Sequence, residues 1–516
     1  MSLARTYSIA LVGVEGHIVE VEVDLANGLP AMILVGLPDT ALREARDRIR
    51  AAISNSDEQW PQRKITVGLS PASLPKRGSW FDLGIAVGVL IAAGTVPAAA
   101  ADGVIFFGEL GLDGQLRPVR GVLPAVVAAA DSGRFGTVMV AEQNAAEAAL
   151  IPGMRVVAAR TLTAVADWLR GTPGRRGGPA AAEFAGGQEP AAVPSSGPAP
   201  DLAELLGQSM ARRAAEVCAA GGHHLSLLGP PGAGKTMLAE RIPTILPQLD
   251  TEAALEVTAI HSVAGTLPPQ VPLLRNPPFR APHHTATKAA IVGGSGIIRP
   301  GSASLAHRGV LFLDEAPEFA RDVLDALRQP LEAGQIVVAR SGVTTTFPAR
   351  FTLVMASNPC PCARAAGPAE GCSCSPATRR RYLGRISGPL LDRVDVKIEL
   401  EPVSRKELLS DRNFAESSQT VALRVAEARQ RSARRLRGTG WRLNGEVPGS
   451  ELRRVWPPAP GSLAVVERSL ERGQISARGV VKVIRVAWTL ADLAGKPRPT
   501  KDECHAALGL WLGVHR

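Results

Sequence analysis

The chain has 516 residues, 45% hydrophobic and 21% charged, with 4% aromatics and a formal net charge of +10. That length exceeds a single core and predicts two to four domains, and the balance of apolar and charged residues excludes a disordered chain. Of the surplus charge, +9 lies between Glu401 and Arg516 (21 Lys/Arg against 12 Asp/Glu), which favours either a polyanionic partner, nucleic acid first, or a solvated basic surface.

The opening "MSLARTYSIALVGVEGH" lacks the long apolar core and cleavage site of a secretory signal. "HIVEVEVDL" alternates like a half-buried strand, and "AMILVGLP" and "GTVMVA" have the length of buried strands. "DTALREARDRIRAAI" and "VLPAVVAAA" carry helical spacing, so residues 1–170 are expected to form an α/β or α+β domain. The uncharged run Leu83 to Ala101 raises a membrane question. Its alanines, three glycines and Pro97 predict instead a buried helix followed by a loop. No membrane association is expected, and the cytoplasm is the expected compartment. Residues 171–200, rich in Gly, Pro, Ala and Ser, read as a flexible linker, since they bury too little to offset their chain entropy.

The block 201–401 carries the chemistry. "LSLLGPPGAGKTML" runs from a strand through a glycine turn into a helix. Gly229, Pro230, Pro231, Gly232, Ala233, Gly234, Lys235 and Thr236 satisfy the phosphate-loop pattern, in which backbone N–H groups turn inward around phosphates. Lys235 is placed to reach the β- and γ-phosphates of ATP, Thr236 to offer its hydroxyl to Mg²⁺, and the helix start attracts the anion. "GVLFLDEAPEF" reads as a buried strand ending in Asp314, placed to hold Mg²⁺, and Glu315, placed to polarise an attacking water. "FTLVMASNPCP" ends in Asn358, whose amide is suited to orient that water, although Asn before Pro is also ordinary turn chemistry. With "QIVVAR" as a further strand, the pattern predicts a parallel sheet with crossover helices.

"NPCPCARAAGPAEGCSC" sets Cys360, Cys362, Cys372 and Cys374 in one short segment. Two C-x-C pairs can wrap tetrahedral Zn²⁺, though more tightly than the usual C-x₂-C, and free thiols or redox use stay open. Cys218 and Cys504 read as ordinary buried cysteines, and the six cysteines make no disulfide framework. Residues 402–516 read as helical, with "QTVALRVAEARQRSARRLRG" and "ARGVVKVIRVAWTLADLAG" amphipathic. "RRRYLGR" and "RQRSARRLRGTGWR" are candidate phosphate contacts, without the interleaved aromatics of a base-stacking platform.

Loop, acidic strand and terminal asparagine in this order resemble an AAA+ ATPase. "FRAPHHTATKAAIVGGSGIIRPGSASLAHRGVLFLDE" and "RYLGRISGPLLDRVD" narrow the resemblance to the ComM/YifB family of magnesium-chelatase-like proteins over nearly the whole chain. The resemblance implies that Asn358 is a first sensor, that Arg393 in "LLDRVD" is a finger reaching a neighbouring subunit's γ-phosphate, and that Arg478 in "ISARGVV" is a second sensor on a helical lid. A finger acting in trans implies a ring, usually of six subunits. The family's ComM-type members imply an ATP-driven DNA motor that extends branch migration during integration of incoming DNA. His283 and His284 would lie on an insertion facing the ring pore, or else pack internally.

The first domain resembles the Lon-type proteolytic domain, of the S5 fold. "LPKRGSWFDLGIAV" parallels the segment carrying the nucleophilic serine and "GLDGQLRPVRGVLPAVVAAA" the segment carrying the lysine. Trp80 then stands in the serine position and Leu123 in the lysine position, with Ser79 one place away. A Ser-Lys pair requires both groups within hydrogen-bond reach, so the domain is expected to be non-proteolytic. Two other readings stay open: the ATPase subunit of a magnesium chelatase, and an AAA+ remodeller of proteins.

Overall fold

The computed structural model describes residues 2–36, 40–76, 78–172, 174, 180–187, 200–268, 270–294, 298–340, 343–362, 372–411 and 414–513. The chain forms two units, one from residues 1–194 plus 254–274, the other from residues 195–253 plus 275–516.

In the first unit, β1 (Ser2–Val12) and β2 (Glu15–Ala26) make a long antiparallel hairpin. Strand β4 (Lys64–Ser70) pairs antiparallel with β2 and parallel with β3 (Ala31–Val35). The alternation along β2 has its expected cause. Val19, Val21, Val23 and Leu25 face the core, while their neighbours stay partly exposed. Helices α1 (Thr40–Ser54) and α2 (Asp82–Ala92) complete this layer, and every residue of α2 is buried. The Arg48–Asp82 ion pair (2.9 Å) joins the two helices. Burial raises the Asp82 carboxyl to about 6 despite the Arg48 hydrogen bond that opposes it.

A second sheet holds β5 (Val104–Phe107), β6 (Thr137–Ala141) and β7 (Arg155–Ala159), all parallel, beside α3 (Val122–Asp131) and α4 (Leu162–Leu169). Its edge is β8 (Ala182–Ala185), antiparallel to β7. This strand lies inside the segment expected as a linker; 173, 175–179 and 188–199 lie outside the described residues. A further difference from the sequence reading concerns helix Thr251–Ala264. Although it follows the phosphate-loop helix in the chain, its residues from 254 onward belong to the first unit. There Ser262 donates a hydrogen bond to the buried Glu147 carboxylate and accepts one from the Gly121 N–H (2.9 Å).

The second unit is built on a five-stranded parallel sheet. Its strands in chain order are β9 (Leu225–Leu228), β10 (Phe279–Arg280), β11 (Val310–Leu313), β14 (Thr352–Ser357) and β15 (Val396–Glu399), and in space they run β10-β11-β14-β9-β15. "QIVVAR" departs from expectation. It forms β12 (Gln335–Arg340), an antiparallel hairpin with β13 (Val343–Pro348) that stands apart from the main sheet.

Helices α5 (Ser209–Gly221), α6 (Lys235–Ile245), α7 (Ser418–Arg435), α8 (Ala477–Leu493) and α9 (Lys501–Leu512) pack around it. Ser417 caps α7 by accepting from the Thr420 N–H, and Ser476 caps α8 by accepting from the Gly479 N–H. The helical tail shares one core with the sheet: Val421, Val425, Val483 and Val486 pack in the same apolar cluster as Leu225, Leu227 and Leu238. No boundary in packing therefore falls at 401/402. Cys218 and Cys504 are buried as expected. Among the described residues no helix is long and apolar enough to cross a membrane.

Candidate functional site

The loop after β9 is fixed by its neighbours. The Gly229 N–H donates to the Ser357 carbonyl (3.1 Å), and a Cβ at Gly229 would meet the Leu400 carbonyl oxygen at 2.6 Å, so only glycine fits. Gly234 caps α6 with φ 90°, which turns the loop into the helix start. The Lys235 ammonium is held by the Gly229 carbonyl (2.6 Å), the Pro230 carbonyl (2.8 Å) and Asn358 Oδ1 (3.0 Å). Burial lowers its pKa, against the pull of Asp314 and Glu315. Lysine and asparagine, 123 positions apart, thus meet at one point.

Thr236 Oγ1 donates to Asp314 Oδ2 at 2.8 Å. Two ligands in adjacent corners of a Mg²⁺ octahedron lie about 3.0 Å apart for metal–oxygen distances of about 2.1 Å, so this pair fits such an ion. The other Asp314 oxygen accepts the Glu315 N–H (2.9 Å). That bond braces Glu315 in a left-handed backbone conformation (φ 51°), rare for a residue with a side chain. His284 Nδ1 lies 3.5 Å from Glu315 Oε2, and the His283 ring is tilted against the His284 ring with centroids 4.2 Å apart. His284 therefore stands beside the candidate base. The sequence reading gave the His283–His284 pair a pore-facing or a packing role and did not foresee this contact with Glu315.

Arg393 and Arg478 come together elsewhere. The phosphate loop, Asp314 and Asn358 all follow the C-terminal ends of parallel strands. Arg393 precedes β15, whose first residue Val396 pairs with Leu225, the first of β9. It thus lies at the opposite end of the sheet, and Arg478 approaches the adjacent Asp392 at 3.7 Å. Both line a cleft of about 1030 Å³ with Arg350, Glu332 and Lys482. Arg393 is paired with Glu332 and only 11% exposed.

The loop carrying Arg393 is anchored from α8. Lys482 Nζ donates to the Arg393 carbonyl (3.0 Å) and pairs with Asp395 (2.8 Å), whose carboxylate also accepts the His224 N–H (3.0 Å). Burial alone would raise the Asp395 pKa, but Lys482 and the two histidines outweigh it and hold the carboxyl below its usual range. His223, fully buried, is pushed down to about 4 by burial against the opposing pull of Asp395. Sequence reading missed this cluster because no motif marks it.

The basic tail needs correction. Arg429, half-buried, donates to the Ala219 carbonyl, Arg431 donates to the Asp492 carbonyl, Arg435 grips Asp492, and Arg442 pairs with Glu252. Three of the six arginines in "RQRSARRLRGTGWR", Arg429, Arg431 and Arg435, are therefore engaged within the unit, while Arg442 makes an exposed surface pair. Arg434, Arg437 and Arg442 are exposed there, as are Arg379, Arg380 and Arg381 on helix Pro376–Leu383.

In the first unit, the Ser79 hydroxyl donates to the Glu109 carboxylate, Trp80 packs on Phe107 (5.7 Å between rings), and Leu123 is fully buried. The Lys76 ammonium is turned to the Pro71 carbonyl.

Comparison with known proteins covers both units. Residues 201–408 match the family model described as magnesium chelatase, subunit ChlI; residues 21–144 match subunit ChlI of Mg-chelatase; residues 415–510 match the ChlI C-terminal model. The chain is 50% identical over 509 residues to an uncharacterized protein of Mycobacterium tuberculosis, covering 98% of each. It is 41% identical over 510 residues to competence protein ComM of Haemophilus influenzae (99% of this chain, 97% of that one). It is also 41% identical over 494 residues to the uncharacterized protein YifB of Escherichia coli (96% and 94%).

Proposed function

The chain belongs to the magnesium-chelatase-like family that includes ComM and YifB, and from that premise we propose that it is an ATP-hydrolysing ring motor acting on DNA, promoting branch migration as incoming DNA is integrated. The observation that carries this reading is the placement of Arg393 and Arg478 at the far end of the sheet from Lys235. Four strand residues span about 13 Å, too far for either arginine to serve its own phosphate loop. Each subunit then supplies the cations for its neighbour's nucleotide, which requires a closed, head-to-tail ring, six subunits being the family pattern.

Within one site, Lys235 exchanges its carbonyl partners for the β- and γ-phosphates, and the loop N–H groups surround them. Thr236 and Asp314 would hold Mg²⁺, which when bound offsets phosphate charge. Glu315 takes the proton of the attacking water, and the Asn358 amide orients that water. Arg393 from the next subunit meets the charge that develops on the transferred phosphoryl group. Arg379, Arg380 and Arg381 offer a phosphate-directed contact without base readout. The first unit is read as a Lon-like, non-proteolytic domain: Ser79 is committed to Glu109, and Leu123 is apolar. The competence label of the Haemophilus relative supports a role in DNA uptake.

ATP turnover with and without four-way DNA, beside Lys235→Ala and Glu315→Gln, tests the reading. DNA is expected to raise turnover several-fold and to be displaced as a strand, with both variants inactive. Turnover indifferent to DNA, with no strand displaced, would favour the chelatase-type subunit or a protein remodeller. A strictly monomeric chain with nucleotide bound would remove the role of Arg393.

A further inference from the structure

The cysteine quartet is not used by the hydrolysis chemistry, and its geometry is specific. Cys360 and Cys362 follow β14, and Cys372 and Cys374 precede helix Pro376–Leu383. Their Sγ atoms all lie within 4.8 Å of one another, with Cys360–Cys362 at 3.0 Å, Cys360–Cys372 at 3.2 Å and Cys362–Cys372 at 3.4 Å. A disulfide needs about 2.05 Å, so these contacts are not disulfides. Four sulfurs around a tetrahedral zinc, each at about 2.3 Å, stand about 3.8 Å from one another. The three closest separations fall about 0.4–0.8 Å short of that edge, and the fourth sulfur lies within 4.8 Å of the others, so a bound ion would spread the sulfurs slightly.

We propose that Cys360, Cys362, Cys372 and Cys374 form a four-thiolate zinc site that fastens the exit of β14 to the arginine-bearing helix Pro376–Leu383. Each C-x-C pair supplies two adjacent corners of the tetrahedron. Binding releases one proton from each thiol and moves no electron, so no oxidant is involved. The filled site carries a net charge of −2, and three arginines follow within the next seven positions. Arg379 already donates to the Cys372 carbonyl (3.4 Å). Cys360 is buried and stands two residues after Asn358. The metal therefore pins the strand end that presents the Asn358 amide to Lys235, on one side, and orients Arg379–Arg381 on the other. The two remaining cysteines, Cys218 and Cys504, are buried and remote in sequence, and take no part.

Metal content is read first, independently of catalysis. Full-length protein purified without chelator is expected to hold about one zinc per chain by plasma mass spectrometry. Titrating the native protein with a mercurial in the presence of a zinc dye should release about one equivalent as four thiols react. Cys372→Ser/Cys374→Ser should lower zinc at least about ten-fold, and Cys504→Ser should leave it unchanged. Wild-type protein with less than about 0.2 zinc per chain, a pair variant that keeps its zinc, or iron in its place would overturn the site. So would an intact mass two or four hydrogens below the all-thiol value. Where the pair variant fails to fold, the wild-type release experiment decides. The fastening role rests on the ATPase reading and is tested separately. Turnover by the zinc-free variant should fall about five- to ten-fold with the KM for ATP changed less than about two-fold, since the phosphate loop is untouched. Zinc lost with turnover intact would overturn the fastening role and leave the motor reading standing.

Discussion

Replacing Lys482 by methionine removes one charge from the buried cluster behind Arg393 while keeping most of the packed stem. Asp395 is 2% exposed and Lys482 12%. The carboxylate would then be left in the interior with the His224 N–H as its remaining donor among the contacts described above, and the Arg393 carbonyl would lose the Lys482 ammonium. Breaking a buried pair by removing one partner costs about 3–5 kcal/mol, because the survivor stays charged and desolvated. Urea unfolding of the full-length chain, followed by tryptophan fluorescence, should register that loss as a midpoint about 1 M lower for the second unit. The double variant Lys482→Met/Asp395→Asn should recover much of it, since no charge is stranded. A single variant less than about 1 kcal/mol weaker, or a double variant worse than the single, would refute the reasoning that this pair holds the Arg393 loop.

Three further outcomes follow from the same geometry. His223 is held near 4, below its unfolded value of about 6.5, so it must take up a proton on unfolding in mild acid. Stability it contributes is complete above pH 6.5 and falls by up to about 3 kcal/mol as pH drops toward 4; the melting temperature measured against pH should show this slope, and His223→Gln should lessen it without removing it, because burial holds His224 near 4 as well. Thr236→Val should leave the fold intact, as its hydroxyl is exposed, but raise the Mg²⁺ concentration for half-maximal turnover at least about ten-fold; an unchanged Mg²⁺ titration would contradict the pairing with Asp314. Ser262→Ala removes a donor to the buried Glu147 carboxylate and an acceptor for the Gly121 N–H, and should destabilise the first unit by about 1–3 kcal/mol in urea unfolding.

The geometry of loop 229–236 was legible because it is local: eight consecutive residues contain both the glycine turn and the lysine that opens the helix. Asp314 and Asn358 could be placed because each ends an apolar strand, and parallel strands bring their C-terminal ends to one edge. The relation of Arg393 to Arg478 was hidden, since it depends on where helix α8 docks, which no spacing encodes. His284 was hidden for a similar reason: its role comes from a contact with a carboxylate 31 positions away. The arginines of α7 misled, because composition cannot tell a cation that meets solvent from one that satisfies a buried carbonyl. "QIVVAR" misled too, for a hairpin strand and a sheet strand share one apolar pattern.

The borrowed segment 254–274 has a bearing on synthesis. The first unit is missing Ser262 and its neighbours when residue 194 leaves the ribosome, and about 80 more residues must be made first. At about 5–20 residues per second this is a wait of roughly 4–16 seconds. During that time the Glu147 carboxylate has no Ser262 hydroxyl to meet it. An amino-terminal fragment ending at residue 194 would lack Ser262 altogether, leaving the Glu147 carboxylate and the Gly121 N–H without that hydroxyl.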